Sequence, residues 1–170
     1  MTGKYPMDKA RLEAVALRYV ERYATSRQKL IRYLERKLRE QGWSGEGAPP
    51  VAAIVDRFVT LRYIDDGEYA RMRLRSMQRR GYGVRRIGQA LAADGVEEVL
   101  RDEVTRDVDA LEAAVILARR RRIGPYGAQP VTPEMRQKAI GILMRAGHSH
   151  EISRRVATAI SPDELEDGAG

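Results

Sequence analysis

The sequence contains no cysteine. That excludes disulfides, thiolate nucleophiles and cysteine-held zinc or iron–sulfur centres, and it agrees with a reducing compartment. Histidine is nearly absent too: His148 and His150 are the two present. Two residues apart, they do not share a helical face, so no metal site is expected. Aromatics make up only 6% of the chain, with a single Trp and a single Phe. No apolar run approaches the roughly 20 residues a membrane-spanning helix needs. The start, MTGKYPMDKARLEA, lacks the apolar core of a signal peptide. These absences predict a soluble, cytoplasmic chain with no membrane contact and no cofactor.

What the chain has in excess is positive charge. Its 31 Lys and Arg against 24 Asp and Glu give a net charge of +7, which should attract a polyanion or an acidic protein surface. The last nine residues hold Asp163, Glu164, Glu166 and Asp167 with no Lys or Arg, so the first 161 residues carry +11. Composition predicts a disordered acidic tail over residues 161–170.

Helical periodicity dominates. Leu12, Val15, Ala16, Tyr19 and Val20 recur at offsets of three and four within Asp8–Tyr23. Ser26 offers an N-cap to a second helix, Arg27–Gln41, with Leu30, Ile31, Leu34 and Leu38 on one stripe and Gly42 as a left-handed stop. A loop, Ser44–Pro50, precedes a third helix carrying Ile54, Val55, Phe58 and Val59. No sheet is expected. One pattern recurs: an apolar residue, Leu four later, Gly four later still, then a bulkier residue. It reads Leu34, Leu38, Gly42, Trp43; then Ile87, Leu91, Gly95, Val96; then Ala139, Leu143, Gly147, His148. The central leucines are 53 and 52 residues apart, which predicts three tandem units. The expected fold is all-α: an elongated tandem array of three three-helix repeats, residues 8–63, 64–108 and 109–160. Such a body suits lying along another polymer, and a monomer suits such an array.

Several residues invite a chemical reading. Asp65 and Asp66 stand just before an amphipathic stretch, where a carboxylate caps a helix; no nucleophile or phosphate loop accompanies them to make a catalytic pair. Gly81 and Gly83 flank Tyr82 and predict a tight turn rather than a dinucleotide fingerprint, because no strand precedes them. Between Arg71 and Ala93 there is no acidic residue, yet Arg71, Arg73, Arg75, Arg79, Arg80, Arg85 and Arg86 all lie there. Arg71, Arg75 and Arg79 form a stripe facing away from Ala70, Leu74 and Met77. Such a stripe is either a solvated face or a binding surface, and its lack of acid exceeds what solubility asks. Arg119, Arg120, Arg121 and Arg122 close a helix, where cations complement the terminus; four adjacent arginines are more than one terminus uses. Arginine pairs with carboxylate and phosphate alike, so both an acidic protein and DNA remain open as partners. Trp43, Phe58, Tyr63 and Tyr69 read as packing groups rather than base-stacking ones.

The segments Tyr63-Ile-Asp-Asp-Gly-Glu-Tyr-Ala70, Arg79-Arg-Gly-Tyr-Gly-Val-Arg-Arg-Ile87 and Leu91-Ala-Ala-Asp-Gly-Val96 resemble, in order and spacing, the core signature of the RecX family. A looser resemblance extends over residues 8–160. It implies a non-enzymatic regulator built of three-helix repeats, Gly95 closing the middle motif, that binds the RecA–DNA filament and inhibits ATP hydrolysis, strand exchange and co-protease function. The two arginine clusters are then the candidate contacts to RecA, or to single- or double-stranded DNA through phosphates. The chain departs from the family pattern at Lys29, where an acidic residue is usual, and at His148, where an aromatic is usual. It also departs in the lengthened Gly124–Pro130 turn.

Overall fold

A computed structural model of the chain describes residues 5–128 and 131–166. Among these, the elements are α1 (Lys9–Arg22), α2 (Arg27–Gln41), α3 (Val51–Thr60), α4 (Asp66–Gln78), α5 (Val84–Ala93), α6 (Glu98–Thr105), α7 (Ala110–Arg121), α8 (Pro133–Arg145), α9 (His150–Thr158) and a one-turn α10 (Asp163–Glu166), with a 3₁₀ turn at Gly124–Tyr126. No strand occurs among the described residues; an isolated bridge joins Met7 to Trp43. The fold is all-α, with helices in successive trios. No helix among the described residues is long and apolar enough to cross a membrane.

Most helix starts are fixed by a short polar side chain accepting a backbone N–H two or three residues on, which satisfies donors the helix itself cannot. Asp8 takes Arg11 N–H at 2.8 Å, Ser26 takes Lys29 at 3.2 Å, Asp65 takes Glu68 at 2.9 Å, Asp109 takes Glu112 at 2.9 Å and Ser149 takes Ile152 at 3.2 Å. α3 has no side-chain cap and starts from Pro50.

The chain forms two compact units, residues 1–70 with 93–97 and residues 71–92 with 98–170. In unit 1 the stripes of α1, α2 and α3 meet: Leu12 and Ala16, Leu30 and Leu34, and Ile54, Val55 and Phe58 are buried together with Ile64. At about 25 cal/mol per Å² of apolar area removed from water, such side chains contribute ~1.5–3 kcal/mol each before entropy is charged against them. In unit 2 the core collects Ala114, Leu117 and Ala118 of α7, Leu143 and Ala146 at the end of α8, Val156 of α9, then Ala159 and Leu165. Within the stretch expected to be a disordered tail, residues 161–170, Leu165 of α10 packs into this core and Glu164 turns back to accept Ile160 N–H at 3.2 Å. Residues 167–170 lie outside the described residues.

The division into units follows from two local junctions that repeat one design. In unit 1, residues 93–95 meet the start of α2. Gly95, at φ +81, leaves no room for a Cβ against Gln28. Ser26 Oγ donates to the Asp94 carbonyl at 2.5 Å, and Arg32 donates to the Ala93 carbonyl at 2.6 Å. In unit 2, the end of α8 meets the start of α5. Gly147, at φ +97, would put a Cβ 2.5 Å from Arg86 N. Gly83 N–H donates to the Ala146 carbonyl at 2.9 Å, and Arg86 donates to the Arg145 carbonyl at 3.1 Å. In both, a donor from the helix start takes the carbonyl one residue before the glycine, and an arginine takes the carbonyl two before it. Orphan carbonyls at a helix end are thus satisfied by donors from the start of another helix, most of them side chains, and unlike dipole ends come together. Residues 93–97 belong to unit 1 because Gly95 is seated there.

The glycines act in different ways, and the left-handed stop expected at Gly42 needs correction. Gly42 does have positive φ (+79), but its ψ of 168° is extended rather than left-handed helical. Gly83 does not serve by a positive φ: a Cβ there would strike the Gly147 carbonyl, so close backbone approach demands the glycine. Gly81 serves both ways, at φ +77 with a Cβ 2.5 Å from Leu117 N.

His148 completes the junction in unit 2. It is 2% exposed, and Nε2 donates to the Gly81 carbonyl at 2.9 Å. Nδ1 is buried without a partner among the described residues. The departure at this position therefore substitutes a packed, hydrogen-bonded ring for an apolar one. Burial pushes its pKa down, against a smaller upward pull from the Gly81 carbonyl.

Two stability tests follow. Gly88, mid-α5 with nothing near its missing Cβ, should gain ~0.5–1 kcal/mol on replacement by Ala. Gly147→Ala, in the same unit, should lose more than ~2 kcal/mol, because strain and clash add. Urea midpoints read both; a Gly147→Ala midpoint equal to wild type rejects the junction. The second test is pH. His148 is neutral in the fold and titrates near 6.5 when unfolded, so the unfolded chain binds more protons below that value. Its stabilisation is complete above about pH 6.5 and drains away as pH falls towards the lowered folded-state value. His148→Gln should remove this step from the melting-temperature profile, and coincident wild-type and variant slopes between about pH 7 and 5 would refute it.

Candidate functional site

Three basic segments distant in sequence converge in unit 2. The first is the turn from α4 to α5, with Arg80, Tyr82 and, one turn into α5, Arg86. The second is the last turn of α7, with Arg120 and Arg121. The third is the last turn of α8, with Arg145. Gly81 holds the first against the second through its approach to the Leu117 backbone. The Gly83 N–H bond to Ala146 holds the first against the third. The glycine contacts that build the junction therefore also gather the cations.

Together these residues line a cleft of about 450 Å³, floored by Leu117, Ile142 and Ala146. Five guanidiniums surround it, and no carboxylate is among its lining residues. Two are oriented by the protein itself. Arg86 lies over the Tyr82 ring at 4.7 Å and donates to Arg145 O; Arg120 reaches the Arg79 carbonyl at 3.5 Å. A hollow beside it shares Arg80, Tyr82 and Arg86 and adds Arg73 and Gln89. Five like charges in one recess repel each other, a cost that a bound anion turns into attraction. Guanidinium forks suit phosphate and carboxylate oxygens equally.

The other sequence candidates go elsewhere. Arg75 and Arg79 border a separate cleft with Asp109 and Glu112, so the stripe that is free of acid in sequence is not so in space. Arg71 and Arg73 are half-buried on α4, and Arg85 is exposed on α5 outside the cleft. Arg119 lies over the Tyr126 ring at 5.3 Å. Arg122 is the left-handed C-cap of α7, at φ 52 and ψ 53. Arg145 was not among the sequence candidates; its place two residues before the repeat glycine Gly147 was the available signal.

Asp65 and Asp66 divide the capping work. Asp65 caps its own helix, α4. Asp66 instead accepts Arg27 N–H at 2.8 Å, closing the start of α2 within unit 1. Burial raises its pKa, opposed by Arg27. Nearby, Lys29 donates to Tyr69 OH at 3.0 Å, Tyr69 donates to Asp94 at 2.8 Å, and Lys29 lies 3.5 Å from Asp94. This triad explains the departure at Lys29. A cation in the first turn of α2 opposes that helix's dipole, but here it answers a carboxylate brought in beside Gly95. Burial disfavours the charge on Lys29, yet the bonds to Tyr69 and Asp94 outweigh it and raise its pKa. No group of His, Asp and Glu able to hold a metal occurs among the described residues.

Comparison with known proteins places this architecture. The family described as RecX, second three-helix domain, matches residues 65–104, the stretch from the α4 cap to the end of α6. The regulatory protein RecX of Myxococcus xanthus is 36% identical over 155 residues, covering 85% of this chain and 83% of that protein. The regulatory protein RecX of Agrobacterium fabrum is 36% identical over 138 residues, covering 78% and 73%. Among solved structures, RecX from Lactobacillus salivarius superposes with a TM-score of 0.67 at 19% identity, covering 92% of this chain and 96% of that one, a likeness of fold. With the helix trios, the middle motif and this extent of identity in hand, the chain belongs to the RecX family of regulatory proteins.

Proposed function

We propose that this chain regulates by binding the RecA–DNA filament and lowering its ATPase, strand-exchange and co-protease activities, without catalysing a reaction of its own and without a cofactor. The observation that carries this reading is the unit 2 cleft, with its five guanidiniums and no lining carboxylate. A filament of protein wrapped on DNA repeats acidic side chains and phosphates along its length, and paired N–H donors meet both. The cations stand at helix ends fixed by backbone contacts, so little ordering is left to do on binding. A regulator seated this way would hinder nucleotide turnover and protomer movement by holding neighbouring surfaces together.

A second reading has the same cleft gripping the phosphates of bare DNA, independently of RecA. It predicts steep salt dependence with little sequence preference. The experiment separates the two. RecA is assembled on single-stranded DNA, the chain is titrated below stoichiometry, and ATP hydrolysis is followed. A saturating fall in rate is expected at a small ratio of chain to RecA. The Arg120→Glu, Arg121→Glu double variant reverses two exposed charges and should need at least ~10-fold more protein for the same effect, with helical content unchanged. Undiminished potency in the folded variant removes the cleft from the proposal. Salt-sensitive capture of bare DNA with no effect on the ATPase favours the second reading.

A further inference from the structure

A second basic recess lies in unit 1, and its chemistry differs. Between α1 and α2 a cleft of about 410 Å³ is lined by Arg18, Tyr19, Arg22, Tyr23, Tyr33 and Arg36 alongside Val15, again with no carboxylate among its lining residues. Three of the chain's eight tyrosines are gathered there. Tyr19 and Tyr33 are stacked, centroids 4.1 Å apart and planes 21° apart. Both are half-buried and pack on the unit 1 core, so core packing accounts for them.

Tyr23 is a different case. It is 49% exposed and tilted 49° to Tyr19 at 5.2 Å, and it is not among the side chains packed on the core cluster. The guanidinium of Arg22 sits over its ring at 5.5 Å, and that of Arg36 over Tyr33 at 5.4 Å. Arg36 shares Glu40 with Lys37, at 3.8 and 2.9 Å; Arg18 and Arg22 have no carboxylate partner among the described residues. The recess thus combines a fixed aromatic base, one open ring and cations on its rim.

We infer that this recess binds single-stranded nucleic acid, stacking an unpaired base on Tyr23 and placing the flanking phosphates on Arg18 and Arg22. Duplex DNA offers phosphates but keeps its bases stacked on each other, so the open ring adds nothing to duplex binding. An acidic peptide satisfies the arginines but has no flat face for the tyrosine. Only an unpaired strand uses both halves of the recess, the combination found where single strands are bound by stacking. A base sliding onto Tyr23 displaces a guanidinium held at 5.5 Å, which is then released towards the phosphate. This inference is independent of the filament reading, since it uses unit 1 alone.

The test uses the full chain and three fluorescein-labelled probes of equal length: an oligothymidylate, the same backbone with abasic sites, and a duplex. Fluorescence anisotropy at fixed salt gives the affinities. The oligothymidylate should bind about ten-fold tighter than the abasic strand. Tyr23→Ala should abolish that difference, Tyr23→Phe should keep it, and neither should alter duplex binding. Arg18→Glu with Arg22→Glu should weaken the oligothymidylate further. Equal binding of abasic and base-bearing strands by the wild-type chain overturns the inference, as does a Tyr23→Ala variant that still distinguishes them. Displacement of the oligothymidylate by poly-glutamate as readily as by unlabelled strand would assign the recess to an acidic protein surface instead. Circular dichroism confirms that each variant is folded.

Discussion

The structure depends on a place where no side chain fits. At each of two junctions the carbonyl end of a helix is pressed onto the N–H end of another, and the residue between them is a glycine with positive φ. An alanine would meet Gln28 at one junction and the Arg86 backbone at the other. Close approach is what lets carbonyls at a helix end be satisfied by the protein rather than by water: Asp94 O by the Ser26 hydroxyl, Ala146 O by Gly83 N–H. Hydrophobic burial holds the helices together, but it is non-directional and would tolerate many offsets. The glycine contact fixes one.

That constraint reaches the candidate functional residues directly. The residues of unit 2 that must be small, Gly81, Gly83 and Gly147, each stand within three residues of one that carries charge, Arg80, Arg86 and Arg145. Seating the glycines leaves the arginines no alternative but to share a cleft. The repulsion among them is tolerated because the junction's backbone bonds and the Leu143 and Val156 core are indifferent to it. Regulation by binding asks for this arrangement: charges poised before the partner arrives, held by a scaffold whose stability does not depend on their being neutralised.

Much of this was legible in the sequence, and the reason is periodicity. Leucine stripes and the glycines that end them are local signals, so the all-α fold, the helix order and the three-helix repeat could be read at once. The resemblance around Asp65-Asp66 and Gly81-Tyr82-Gly83 gave the family. What could not be read was which distant residues share space. Arg75 and Arg79 look acid-free along the chain, yet Asp109 and Glu112 stand beside them. Arg145 is a lone arginine in its helix turn and gains meaning only through Gly83. Asp66 looks like a cap for α4 and caps α2 instead. Leu165 was hidden by the acids around it, because a composition average does not register a single anchored side chain. Tyr19 and Tyr33 lie on two helices, with Tyr23 capping the first, whose facing sides no one-dimensional pattern reveals.

The two units carry recesses of the same sign but different reach. The cleft in unit 2 offers guanidiniums over an apolar floor; the recess in unit 1 adds aromatic faces to fewer cations. A small anion could occupy either and would gain nothing from the presence of the other. A polymer is different, since it presents the same groups again and again and so offers a contact to each recess in turn. A filament in which single-stranded DNA is held by repeating protein subunits supplies phosphates, carboxylates and unpaired bases together, the set of groups that the proposed function and the inference for unit 1 ask these two surfaces to meet.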